Sequence, residues 1–264
     1  MENMALMKTY KHLLISTRSH LRIITLNRPK SKNAINREMY DEIVCALNEA
    51  ANDDNIVITA ITGAGDYYCS GNDLRNFNDA GGDLGETIKK ASSNLQKFVQ
   101  TFFEFPKILA ALVNGPAIGI AVTTLGLFDV VYASDRATFS TPFSSLGLTV
   151  EGCASYTFPR IMGPGKASEI LYFNKKFTAQ EAKECRLVTE VIPHDKLDRV
   201  LPELEKLSNL PANSLLYSKA LVRNQEKENL QKAVEAECKR LEERWQSEDC
   251  LNAVIAFMSR KNKL

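Results

Sequence analysis

The chain has 264 residues, 44% of them hydrophobic and 25% charged, which is enough to bury one sizeable core. Its 33 Lys and Arg against 32 Asp and Glu exclude a bulk positive field that would gather nucleic acid or an anionic membrane surface. Six widely spaced cysteines form no C-x-x-C pair and no metal-ligand spacing with the three histidines, so reduced thiols and no metal site are expected.

From the start, Met1 to Tyr10 lacks the basic opening and apolar centre of a secretory signal, and no apolar run approaches the roughly 18 residues of a membrane span. Membrane insertion is therefore not expected. Two β-rich runs follow, Tyr10 to Thr17 and Leu21 to Asn27, the second broken by Arg28-Pro29. Asn36 then caps a helix whose Met39, Ile43, Leu47 and Ala50 share one face. Ile56 to Thr62 is a β-branched strand, Gly63 to Asp66 a turn, and Tyr67 to Gly71 a short extended piece. Polar residues and three glycines make Asn76 to Gly85 a loop before a helix over Glu86 to Glu104 and a buried strand over Lys107 to Val113.

Asn114-Gly115-Pro116 turns the chain into a small-residue helix near Gly119 to Leu127, with strands at Asp129 to Tyr132 and Thr138 to Ser140. The recurring strand, strand, helix order predicts an α/β fold built as a coiled stack of such units. Beyond Thr178 the pattern is mostly helical: Gln180 to Cys185, Leu197 to Leu207, Asn213 to Arg223, Asn229 to Trp245 and Asp249 to Ser259. No linker sets these helices apart, so one domain over 1–264 is expected, with a core over about 1–190 and a helical region over about 191–264.

Two glycine segments carry the chemistry, Cys69-Ser70-Gly71-Asn72-Asp73-Leu74 and Asn114-Gly115-Pro116-Ala117-Ile118-Gly119-Ile120-Ala121. Neither is a P-loop, and no G-x-G-x-x-G follows a strand, which removes the main support for nucleotide binding. With Arg28-Pro29 and Asn33-Ala34-Ile35 before them, they resemble, in order and spacing, the enoyl-CoA hydratase/isomerase or crotonase family over nearly the whole chain. The resemblance implies a crotonase-type spiral, an acyl-CoA thioester substrate and a homotrimer or dimer of trimers built through the C-terminal helices. CoA is then part of the substrate, and no separate cofactor is implied.

Carried over residue by residue, the resemblance makes the N–H groups of Ser70 and Ile120 an oxyanion hole, with Ser70, Gly71, Asn72, Asp73, Leu74, Gly119 and Phe143 against the substrate. A helix start near Gly119 suits that role, because its first N–H groups lack acceptors. The positions where hydratases of the family hold two glutamates read Thr123 and Phe143 here. A carboxylate appears a few residues later, in Leu148-Thr149-Val150-Glu151-Gly152-Cys153, a stretch similar to the peroxisomal Δ3,Δ2-enoyl-CoA isomerase branch, in which this glutamate is the base. Read locally, Glu151 is as readily a cap for a helix starting near Gly152, and Asp73 as readily an Asx residue holding its own turn.

One carboxylate is sufficient to shift a double bond by proton transfer, whereas hydration in this family uses the missing pair. The expected activity is therefore conversion of 3-enoyl-CoA to 2-trans-enoyl-CoA. Hydration or dienoyl isomerisation is the enzymatic alternative, and a non-catalytic CoA-binding interaction protein the alternative of another class. Lys30, Lys32, Ala34, Phe257 and Arg260 are the candidate CoA contacts. The ending Asn262-Lys263-Leu264 is a degenerate form of the S-K-L peroxisomal address, with a mitochondrial location as the alternative.

Overall fold

The computed structural model describes residues 9–77 and 83–261, with only the backbone of Leu74, Phe77, Leu84, Met258, Arg260 and Lys261. The terminal Asn262, Lys263 and Leu264 lie outside the described residues. β1 (Leu13–Arg18) and β2 (Leu21–Leu26) form an antiparallel pair, and α1 (Arg37–Asn52) follows. The side chain of Asn36 accepts the Met39 N–H at 3.0 Å, and Met39, Ile43, Leu47 and Ala50 are all buried. The cap and the apolar stripe thus act as their spacing predicts.

After β3 (Ile58–Gly63) come α2 (Leu84–Phe103), β4 (Ile108–Val113), β5 (Ala117–Ile118) and α3 (Ile120–Thr123). The expected helix to Leu127 is split here, because the chain tightens into a 3-10 turn over Thr124–Leu127. β6 (Val130–Ser134), β7 (Thr138–Ser140), α4 (Ala154–Leu171), β8 (Phe177–Thr178), α5 (Ala179–Glu184) and β9 (Glu190–Ile192) complete the strand-bearing part. β8 and β9 are too short for a periodic signal and were not expected from the sequence. α6 (Val200–Ser208), preceded by a 3-10 segment over His194–Arg199, leads to α7 (Ala212–Arg223), α8 (Lys227–Trp245) and α9 (Glu248–Lys261).

The strands divide between two sheets. One runs β1-β2-β3-β4-β6-β9, parallel from β2 onward, and the other runs β5-β7-β8, with Cys69 bridged to Ala117 at its edge. Successive turns of chain therefore place one strand in the first sheet, one extended piece in the second, and then a helix. That is the spiral anticipated from the repeated unit. Parallel strands are buried on both faces, and alternate residues serve different cores. Ile24 and Leu26 meet the main core with Phe98, Phe102 and Phe103, while Leu21 and Ile23 meet a smaller one with Val200 and Leu204. Asp129 ties α7 to this sheet, accepting the Leu109 N–H and the Lys219 ammonium, both at 2.8 Å.

Candidate active site

The two glycine segments lie against each other because they pair as extended backbone: Ile118 N–H donates to Cys69 O at 3.0 Å, and Cys69 N–H to Pro116 O at 3.3 Å. Gly71 makes the approach possible. Its φ is +83°, and a Cβ there would sit 2.6 Å from the Ile118 carbonyl oxygen, so only glycine fits. Gly119, at φ +60° and ψ −125°, turns the strand into α3 and leaves Ile120 as the first helical residue. No acceptor is paired with the Ile120 N–H among the described residues. The unusual backbone angle falls on Gly119, so the β-branched Ile120 is unstrained.

Ser70 departs from expectation. Its N–H donates to Lys32 O at 3.0 Å and is not free to meet a ligand. Two residues on, Ile35 N–H bonds Gly71 O and Asp73 N–H bonds Ile35 O, a parallel bridge that turns the Asn72 N–H away from Ile35. That N–H has no paired acceptor among the described residues. Which amide is free depends on the Lys32 and Ile35 pairing, a contact across about forty residues that the local motif does not encode.

Asp73 faces protein. Its carboxylate accepts Arg75 Nε at 2.9 Å, Arg75 Nη2 at 2.7 Å and Arg28 Nη1 at 3.2 Å. Hydrogen bonds from Arg75, and next from Arg28, hold its pKa down at about 2. Asp73 thus locks the motif. The side chain of Leu74 lies outside the described ones. Asn33, fully buried, ties the same region together: its side-chain amide donates to Ala64 O at 2.9 Å and Tyr67 O at 2.8 Å.

A folded-state pKa below the unfolded value means that Asp73 contributes stability above about pH 4, lost as pH falls through about 2. Asp73→Asn is expected to cost about 2 kcal/mol at pH 7, since each pKa unit is worth about 1.4 kcal/mol. Urea denaturation should show a smaller difference at pH 3 than at pH 7. An equal difference at both would place the cost elsewhere.

Glu151 reaches the site through Gly152. At φ +75°, a Cβ on Gly152 would lie 2.4 Å from Thr123 Oγ1 and 3.2 Å from Ile120 Cδ1, so the residue after Glu151 is pressed onto the start of α3. Phe143 closes the other side, its ring 4.0 Å from where a Gly119 Cβ would be. The positions that carry glutamates in hydratases are thus both buried here, Thr123 completely and Phe143 to 5% exposure, and neither offers a carboxylate. Glu151 keeps partial surface, yet its carboxyl is deep in the fold. Burial, and next the charge of Glu237, push it up to about 8. No hydrogen-bond donor or cation is paired with it among the described residues.

Glu151 is not the helix cap. α4 starts at Ala154, Cys153 occupies the cap position without a side-chain bond, and Glu237 of α8 supplies the carboxylate instead. The signal for Glu237 was a lone acid in the buried stripe of Leu230, Val234, Cys238 and Leu241. Cys69 and Cys153 are also buried beside the site, and burial pushes the Cys69 thiol up to about 12, which suits packing and not nucleophilic attack.

Of the candidate CoA contacts, Lys30 and Lys32 are exposed on the turn that pairs with Ser70, with Lys32 5.0 Å from the Tyr67 ring centre. Ala34 is buried, its carbonyl bound by Arg28. Phe257 is exposed on α9, and the Arg260 side chain lies outside the described ones. A surface depression of about 760 Å³ lies along α1 between Asp41, Glu49 and Asp53. It shares no residue with the site, and its acidic rim disfavours CoA phosphates.

A spiral of strand, strand, helix turns that brings two glycine segments and one buried carboxylate together is the crotonase architecture. Residues 16–263 match the enoyl-CoA hydratase/isomerase family model, and the chain belongs to that family. It is 53% identical over 255 residues to enoyl-CoA delta isomerase 2 of Rattus norvegicus, a match covering 96% of this chain and 65% of that protein. It is 47% identical to enoyl-CoA delta isomerase 3, peroxisomal, of Mus musculus, covering 96% and 80%. The solved enoyl-CoA hydratase/isomerase of Pseudoalteromonas atlantica T6c superposes with a TM-score of 0.87 at 32% identity, covering 95% of this chain and 98% of that one.

Proposed function

We propose that the chain moves the double bond of 3-enoyl-CoA to give 2-trans-enoyl-CoA. One observation carries this: Glu151, a desolvated carboxylate with no donor or cation paired to it among the described residues, precedes the Gly152 that packs on Ile120, while the two hydratase positions hold Thr123 and Phe143. The names of the rat and mouse relatives support the same reaction.

In the proposed mechanism the thioester oxygen lies between the N–H groups of Asn72 and Ile120. Glu151 takes a C2 proton, the electron pair passes through the carbonyl to give a dienolate, and the two amides stabilise its oxygen. The protonated Glu151 then delivers a proton to C4 as the C2–C3 double bond forms. Electrons and protons balance without a redox step, and CoA enters as part of the substrate. A pKa of about 8 narrows the gap to the carbon acid and keeps the proton on the carboxyl between steps.

We propose a peroxisomal location, supported by the mouse relative's name, and a homotrimer or dimer of trimers, supported by exposed apolar residues on α7 (Tyr217, Leu221, Val222) and α9 (Leu251, Ile255).

The deciding experiment incubates the purified chain with 3-enoyl-CoA and, separately, 2-enoyl-CoA, and resolves products by mass and retention time. A 2-enoyl product from the first substrate is expected; a 3-hydroxyacyl product alone would sink the proposal. The base must be ionised to act, so kcat/KM is expected to rise with pH and level off above about 8. At pH 6 it should be roughly a hundredth of the plateau, since each unit below the pKa removes about tenfold of the active form. An acid limb in the ordinary carboxylate range would exclude a desolvated Glu151 as the base.

A further inference from the structure

Glu237 takes no part in the proton transfers, yet it is a carboxylate with 6% exposure inside the apolar stripe of α8. A charge persists in such a place only where donors replace water. Three do: Cys153 N–H at 2.7 Å, Ser155 N–H at 2.9 Å and the Ser155 hydroxyl at 2.5 Å. All three belong to the turn that follows Glu151. That turn needs holding, because Gly152 at φ +75° is followed by Cys153 at φ +61°, a non-glycine residue in the left-handed region. α4 has no side-chain cap of its own, and Glu237 provides one from 84 residues away.

We infer that Glu237 is the positioning residue for the proton carrier: it clamps the strained turn that follows Glu151 and packs on Ile120, and it is the neighbouring carboxylate that Glu151 faces as it titrates. The inference rests on Glu151 carrying the proton, as proposed above. Burial pushes the Glu237 carboxyl up and its three donors oppose that rise, whereas Glu151 is pushed up by burial and by Glu237 with no donor to oppose it, so Glu237 is the first of the pair to ionise as pH rises. The other titratable groups facing the pair are Tyr40 of α1, Cys153 beside the site and Cys238 of α8. Burial pushes all three up, Cys238 to about 12, so they remain uncharged while Glu151 titrates. Ser92 of α2 and Glu242 act on Cys238, and no lysine, arginine or histidine shifts either carboxylate.

Two variants separate charge from reach. Glu237→Gln keeps the shape and removes the charge; Glu237→Asp keeps the charge and shortens the arm. In protein labelled with carbon-13 glutamate, the Glu151 carboxyl signal is identified by its loss in Glu151→Gln. It is expected to titrate at least about one pH unit lower in Glu237→Gln, with the acid limb of kcat/KM following and KM within about twofold. Glu237→Asp is expected to keep the midpoint within about half a unit and lose roughly tenfold in kcat at unchanged KM, because the base is displaced.

A merely structural role would lower thermal stability and leave the midpoint in place. An unmoved Glu151 midpoint in folded Glu237→Gln overturns the inference. If that variant does not fold, undiminished kcat in Glu237→Asp overturns it instead. The titration needs no turnover, so a protein inactive on 3-enoyl-CoA whose midpoint still moves would refute the proposed reaction and support the coupling.

Discussion

Glu151→Gln is expected to lower kcat by roughly 10²–10⁴-fold while KM for a CoA ester stays within about threefold. Glutamine keeps the side-chain volume, so the two backbone donors and the packing of Gly152 on Ile120 are untouched. Only proton uptake is lost, and both steps depend on it. Steady-state kinetics together with binding of a non-reacting acyl-CoA would check this; full turnover in the variant would move the base to another residue.

The same substitution carries a stability signature. Because the folded-state pKa of about 8 exceeds the unfolded value of 4.5, the folded protein binds a proton that the unfolded chain releases. That contribution is complete below about pH 4.5 and lost as pH rises through about 8. Glutamine does not ionise, so the variant should gain stability relative to the parent on going from pH 5 to pH 9. Denaturation at the two pH values measures the difference, and its absence would mean a solvated carboxyl.

Gly71→Ala is expected to reduce kcat by roughly 10²–10³-fold, the cost of one misplaced oxyanion donor. It is also expected to destabilise the fold by about 2–4 kcal/mol, through a left-handed alanine and overpacking. The new methyl would meet the Ile118 carbonyl at 2.6 Å, and that neighbour is backbone, which cannot rotate away. Either the Asn72 N–H or the start of α3 must shift. Gly65→Ala provides the control: its φ is +74°, but its Cβ would meet only the Pro29 side chain, at 3.2 Å. It should lose stability and keep kcat. If both variants keep kcat, the donors at Asn72 and Ile120 do not act as proposed.

Much of this architecture was legible in the chain. The fourfold spacing of Met39, Ile43 and Leu47 and the cap at Asn36 define α1, because a helix face and its first turn are local matters. The repeated strand, strand, helix order was enough to anticipate the spiral. β8 and β9 were not, since two or three residues carry no periodicity and pair only once the rest of the sheet exists.

At the site, the sequence by itself determined which acids are present: Glu151, with Thr123 and Phe143 where the hydratase pair would be. Chemical identity is a property of the residue and needs no fold. Availability is a property of the neighbours, and there only the tertiary structure decided. Ser70 looked like a donor until Lys32 took its N–H, and Asn72 became one because Ile35 turned its amide outward. Asp73, readable from its motif as a substrate contact or as an Asx residue holding the turn, is tied to Arg28 and Arg75. The cap of α4 looked like Glu151 and is Glu237, because a carboxylate 84 residues away reaches those amides when α8 packs on them.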